Sequence, residues 1–206
     1  MSCKCDTGSP NTGFPKCLSS DAPLIGFLVV NLFDSSGVRN KIDNAAALDQ
    51  AWLDGKINET LDEDRFYPVL KMENVTQERE DPTTETAESG TVGFIKQGVK
   101  TVTGEFWYQS RQWQGKIDDW RCQQKGVYGI YLDGTILGKC IDTTGDLYQI
   151  EVEQQSWYAT FVDATDTTLS KVALSFQVAQ TERERDFYQI TNEEYTMDLL
   201  GAKGLL

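Results

Sequence analysis

The chain has 206 residues, of which 39% are hydrophobic and 11% aromatic, enough for a packed core and too many for a disordered chain. Its 32 acidic residues outnumber 19 basic ones, and the formal net charge of −13 weighs against a protein that grips nucleic-acid phosphates or an anionic membrane surface. Histidine is absent, which closes Ser-His-Asp and Cys-His catalysis, histidine general bases and histidine metal sites.

Residues 1–21 are rich in Cys, Gly, Ser and Pro, have no periodicity and read as an extended N-terminal arm. Met1-Ser2-Cys3-Lys4-Cys5 is not followed by an apolar stretch of the signal-peptide kind, so the chain is expected to fold in a cytosol. Stable disulfides are uncommon there. No apolar run approaches the roughly 20 residues of a membrane span. The longest, Pro23–Leu32, is expected to be a covered strand, with Ile25, Phe27 and Val29 on one face and Leu28, Val30 and Leu32 on the other. Ser35-Ser36-Gly37 turns the chain. Asp43 has the character of an N-cap for a helix over about 44–58, with Ala45, Leu48, Ala51 and Trp52 at helical spacing. Phe66–Met72 reads as a strand.

Glu73 to Gly90 follows, with six acids (Glu73, Glu78, Glu80, Asp81, Glu85 and Glu88) against Arg79 alone. It reads as a long acidic loop or a solvated hairpin arm. Thr91–Phe106 alternates and is rich in Val and Thr, a strand pair broken at Gly98 or Gly104. Ser110 is placed to cap a short helix carrying Trp113, Ile117 and Trp120 on one face. Gly126–Leu132 and Thr135–Ile141 flank Asp133-Gly134, a two-residue hairpin signal. Further strands are expected at Tyr148–Val152, with Gln149, Glu151 and Glu153 outward, at Trp157–Val162 and at Leu169–Val178. Thr191 and Glu194 make a capping box for a short C-terminal helix ending at Gly201. The fold expected is β-rich (α+β): a β-sandwich or barrel with one or two short helices and long extended arms. Beyond the arm, one assembly domain spans 22–206, with an acidic loop at 73–90.

Motifs that carry chemistry are scarce. Cys3, Cys5 and Cys17 could supply three zinc ligands, but a fourth is missing and the spacing fits no standard site, so a tied arm or free thiols fit better. Cys122 and Cys140 read as small core residues. Gly134-Thr-Ile-Leu-Gly-Lys-Cys140 has the outline of a phosphate loop, yet it is one residue short, ends in Cys and lies in a hairpin. Asp142-Thr-Thr-Gly-Asp146 lacks the ligand ladder of a calcium loop. With 32 acids, a glycosidase-type carboxylate pair carries no information. Trp52, Trp113 and Trp120 fit core packing better than a sugar groove. No catalytic residue, cofactor or metal is assigned.

Taken in order, several stretches resemble a family of virion structural proteins from tailed phages of Bacteroidota. They are Cys3-x-Cys5 with Cys17, Asn74-Val-Thr-Gln-Glu-Arg-Glu-Asp-Pro-Thr-Thr-Glu-Thr86, Gly90 through Gly104, Gly126-Val-Tyr-Gly-Ile-Tyr-Leu-Asp-Gly-Thr135, Ser156-Trp157, and Asp166-Thr-Thr-Leu-Ser-Lys-Val-Ala-Leu-Ser-Phe-Gln177. The resemblance covers most of the chain. It implies a tail tube subunit that stacks as hexameric rings, with an inner β-barrel wall shared among subunits and a helix outside. Its partners would be copies of itself and other tail or connector proteins, with DNA passing through unbound and no membrane contact. The location would be the virion tail, after synthesis in the bacterial cytoplasm. The six acids of 73–90 are the assembly-arm or lumen candidates. A head–tail connector, a baseplate component and a carbohydrate-binding β-sandwich are the alternatives.

Overall fold

The computed structural model describes residues 22–43, 50–107, 111–141, 145–183 and 186–190. The cysteine arm, the first half of the helix expected over 44–58, Ser110 and the C-terminal helix expected from Thr191 lie outside the described residues. Among the described residues strand is the dominant structure at 47%, with two short helices, so the fold is β-rich. In chain order the elements are β1 (Leu24–Asn31), β2 (Lys41–Ile42), α1 (Gln50–Ile57), β3 (Tyr67–Leu70), β4 (Glu73–Arg79), β5 (Thr83–Thr86), β6 (Val92–Lys96), β7 (Lys100–Trp107) and α2 (Arg111–Trp120). They continue as β8 (Lys125–Tyr131), β9 (Ile136–Lys139), β10 (Leu147–Tyr148), β11 (Ile150–Glu151), β12 (Tyr158–Val162), β13 (Lys171–Val178) and β14 (Phe187–Ile190).

The described residues cluster into two compact units. The first is built from residues 22–43, 50–72, 125–141, 145–151 and 186–190; the second from 73–107, 111–124 and 152–183. The first unit holds a curled antiparallel half-barrel sheet in the order β2-β10-β9-β8-β1-β3, with β11 on β8 and β14 on β9. Strands β1 and β8 lie at its centre and are buried through most of their length, as an apolar run without alternation requires. The core joins Leu28, Val30, Ile42, Leu53, Phe66, Tyr128, Ile130, Ile136, Leu147 and Ile190. Each such side chain contributes about 1.5–3 kcal/mol through burial. Trp52 meets Phe66 edge-on at 5.7 Å, and Phe66 stacks on Tyr128 at 5.9 Å. The hairpin expected at Asp133-Gly134 forms, but its loop has three residues: Tyr131 N–H bonds the Thr135 carbonyl, so Leu132 joins Asp133 and Gly134 in the turn, with Gly134 alone at positive φ, +82°.

Two side chains depart from the alternation expected of them. Leu24 pairs with Tyr131 and Gly26 with Ile130, so Ile25 is an extra residue on β1. That bulge turns Ile25 onto the core formed by Leu28 and Val30, not beside Phe27 and Val29. Gln149, expected outward, is fully buried, because the strand breaks there between β10 and β11 and its Nε2 donates to the Leu32 carbonyl at 2.9 Å.

The second unit holds the four-stranded sheet β12-β13-β7-β4 and the two-stranded ribbon β5-β6. Strand β13 alternates as its sequence dictates, with Val172, Leu174, Phe176 and Val178 buried. It begins at Lys171, and Leu169, expected within it, is exposed. Trp113, Ile117 and Trp120 form the buried face of α2. A line of rings runs through this unit: Phe106 to Trp113 at 5.2 Å, Trp113 to Trp120 at 6.5 Å, Trp120 to Trp157 at 5.2 Å and Trp157 to Phe176 at 4.7 Å. Cys122, expected in the core, is exposed, because α2 ends at Trp120 and the following turn carries the thiol away from the buried face.

The span 73–90 is not one loop. Val75, Thr76 and Gln77 continue as β4, and β5 pairs with β6 as a hairpin arm. Thr91–Phe106 does break at Gly98, but its halves do not pair with each other: β6 joins β5, and β7 lies between β4 and β13.

Candidate assembly surface

The six acids singled out in the sequence are all exposed and are distributed along an edge and an arm. Glu73 and Glu78 lie on the outer strand β4, Glu80 and Asp81 in the connection to β5, Glu85 on β5 and Glu88 in the ribbon turn. Their carboxylates point to solvent along a stretch that Arg79 alone among its residues balances. Such a run repels its own copies at low ionic strength.

Open strand edges invite pairing with another chain, and the outer strands here are blunted in different ways. In the half-barrel sheet, β3 carries Pro68, which has no N–H to donate, and β2 is two residues long. In the four-stranded sheet, β4 is interrupted by a bulge between Glu73 and Thr76, with Asn74 at φ +52°. At β12 and just before it, side chains of α2 and of the turn that follows it reach the backbone: Gln114 Nε2 donates to the Ala159 carbonyl at 3.2 Å, and Arg121 Nε to the Trp157 carbonyl at 2.6 Å. The Arg111 guanidinium sits 4.8 Å over the Phe161 ring and bonds both oxygens of Asp163 at 2.9 Å.

Among the described residues, no such guard is found at the β5-β6 ribbon. Its turn is closed by Ala87 N–H to the Thr91 carbonyl at 2.9 Å and Gly90 N–H to the Ala87 carbonyl at 2.8 Å, with Gly90 at φ +80°. Thr83 pairs with Lys96 and Thr84 with Phe94, so Ile95 is an extra residue on β6. Val92 is 62% exposed and Ile95 57% exposed, on a strand that reads Val-Gly-Phe-Ile-Lys. The ribbon base is pinned: Glu80 N–H donates to the Val99 carbonyl at 2.9 Å and Arg79 Nη1 to the Gly98 carbonyl at 3.2 Å. A two-stranded ribbon by itself is marginally stable in water.

The sheet face away from α2 carries a shallow groove of about 260 Å³. Its lining includes the small residues Thr103, Ala173 and Ser175, with Tyr158 and the Asn74–Glu105 pair as taller members. Tyr158 is 57% exposed, and the Arg121 guanidinium lies 5.6 Å from its ring centre. Asn74 Nδ2 donates to Glu105 Oε2 at 3.1 Å, and Lys171 Nζ to Glu105 Oε1 at 2.5 Å. The Lys171 bond is the main reason the Glu105 carboxyl titrates below the ordinary glutamate range. Thr76 and Thr103 share a hydroxyl hydrogen bond of 2.7 Å beside it. Nothing in the sequence patterning marked this groove. Alternation along β13 turns Ser175 out, but cross-strand register is what brings it opposite Thr103 and Tyr158.

In the first unit, Lys125 stands at the start of β8 with its side chain fully buried, 3.9 Å from Asp62 Oδ2 and 5.2 Å from the Tyr67 ring centre. Burial pulls the ammonium down to about 8, against the opposing charges of Asp62 and Glu63. The Tyr67 hydroxyl donates to Asp62, and burial together with that bond raises the phenol to about 12. Burial pushes the Asp62 carboxyl up, but the Tyr67 bond and the Lys125 charge outweigh it and hold the group low. The cluster ties the 61–64 turn to the sheet. Among the described residues, no group of three or more Cys, Asp or Glu side chains is placed to hold a metal ion, and no helix is long and apolar enough to cross a membrane. The arm cysteines weighed as zinc ligands lie outside the described residues. No family model matches the chain, and no curated protein or solved structure matches it.

Proposed function

We propose that this chain is a non-catalytic structural subunit that assembles with copies of itself. The sequence resemblance gives the assembly its form: a phage tail tube of stacked, hexameric rings through which DNA passes without specific binding. The observation that carries the self-assembly is the β5-β6 ribbon, which presents Val92 and Ile95 to solvent while the outer strands β2, β3, β4 and β12 are blunted. A monomer gains nothing from holding such a ribbon out, whereas an assembly uses it as a joint. The expected sandwich or barrel belongs to this reading as a property of the assembled wall. The acids Glu73, Glu78, Glu80, Asp81, Glu85 and Glu88 suit a conduit in the same way, because affinity for DNA comes chiefly from cations that displace counterions, and carboxylates offer none.

Negative-stain microscopy and light scattering of the purified full chain test the proposal. Closed rings or tubes are expected, with a specific interface of roughly 1,200 Å² or more between neighbours. A monomer at every concentration, with none of the chain found in the tails of virions, would overturn it.

A further inference from the structure

We infer that the joint is heterologous, the β5-β6 ribbon of one copy seating Ile95 in the groove beside Tyr158, Ala173 and Ser175 on the sheet of the next copy. The inference rests on the self-assembly proposed above and names the two surfaces that meet.

Three observations carry it. The first is shape. The groove of about 260 Å³ is of a size to take an isoleucine side chain, and its lining includes the small residues Thr103, Ala173 and Ser175. Ile95 is the exposed aliphatic side chain at the ribbon's bulge. The second is charge. The ribbon carries Glu85 on β5 and Glu88 at its turn, while Arg121 lies against Tyr158 at the groove wall with its side chain 39% exposed. Asp118 already pairs with Arg121 at 3.3 Å, so the arginine's contribution is orientation of the incoming acidic turn more than net attraction. The third is the placement of guards. Gln114 and Arg121 occupy the Ala159 and Trp157 carbonyls, and a bulge interrupts β4, so continuing the sheet edge-to-edge is obstructed at both outer strands. The open face of the sheet is not obstructed in this way.

Each copy would then bear one ribbon and one groove, two different surfaces. A contact of that type closes into a ring where the rotation between neighbours divides a full turn, and otherwise runs on as a filament.

The test uses two full-length variants. Ile95→Asp spoils the ribbon and leaves the groove whole; Ser175→Trp fills the groove and leaves the ribbon whole. Each alone is expected to raise the concentration needed for assembly at least tenfold. An equimolar mixture is expected to form dimers and nothing larger, because one intact ribbon and one intact groove remain between the two partners. Ala173→Leu, a milder filling of the same groove, guards against misfolding of Ser175→Trp, and unchanged circular dichroism and unfolding midpoints certify the folds. Wild-type-like assembly of a folded groove variant would overturn the inference while leaving the proposed function standing. So would loss of assembly in both variants with no dimer on mixing. A wild-type chain that stays monomeric would remove the proposed function itself.

Discussion

A β-carbon on Gly98 would lie 1.8 Å from the carbonyl oxygen of Glu80. The two chain segments entering and leaving the ribbon pass each other there with room for a hydrogen atom only, and the contact atoms, on Glu80 and Asp81, are all backbone and cannot swing aside as a side chain could. Gly98→Ala should therefore force the segments apart, breaking the Glu80–Val99 and Arg79–Gly98 hydrogen bonds at the ribbon base. A cost of about 1–3 kcal/mol is expected, as for other forced overpacking. Amide exchange should rise across 80–99 with little change in the half-barrel sheet. Unchanged protection there would show that the base does not hold the ribbon.

Lys125 makes stability rise with alkalinity over a defined window. Its ammonium titrates near 8 in the folded chain against an ordinary value of 10.5. Between those values the unfolded chain holds a proton that the folded chain has lost, so stability increases as pH rises from about 8 towards 10.5. The gain is lost again as pH falls through about 8. Urea midpoints of the wild type should climb across that window relative to Lys125→Met, which cannot titrate there. At pH 7 the Met variant should be the more stable of the two, since a buried charge is replaced by an apolar chain. Parallel pH profiles for the two proteins would refute this account.

Trp157 stands between Trp120 and Phe176 in the line of rings, with almost no exposed surface. Trp157→Ala should cost about 3–5 kcal/mol, since it removes both ring contacts and leaves a cavity. Trp120→Phe, which keeps an aromatic at the helix side, should cost less than half as much. Denaturant titration followed by circular dichroism measures both. Equal losses would mean that the rings are not packed as one column.

Salt should promote assembly. The exposed acids of residues 73–88 repel their counterparts on neighbouring copies, and the Debye length falls from roughly 10 Å at 0.1 M to roughly 3 Å at 1 M. The fraction assembled, read by sedimentation velocity, should increase over that range. Replacing Glu80, Asp81, Glu85 and Glu88 by Gln should give the high-salt behaviour at low salt. A decrease with salt would mean that attraction between unlike charges drives the joint.

Alternation and turn chemistry made much of this molecule legible in advance. The inward set of Val172, Leu174, Phe176 and Val178, the Asp133-Gly134 hairpin and the Trp113–Trp120 helix face all follow from periods of two and 3.6 residues. What stayed hidden depends on pairing across long stretches of chain. Lys125 looks like any strand-end lysine until Asp62 and Tyr67 are brought to it. Ile25 and Gln149 violate alternation because of a bulge and a strand break that no local residue announces. The groove lies across four strands, so only their order reveals it.

The interleaving of the two units sets an order of completion during synthesis. The second unit takes its last residues near position 183, whereas β14 of the first, at 187–190, pairs with β9 some fifty residues earlier in the chain. The unit that starts later is therefore the one that can close first as the chain leaves the ribosome, while the half-barrel waits for its final strand. Neither unit is a continuous peptide, so no single cut releases either one whole, and a truncation just after β13 should leave the ribbon-bearing unit with all its strands and the half-barrel one strand short.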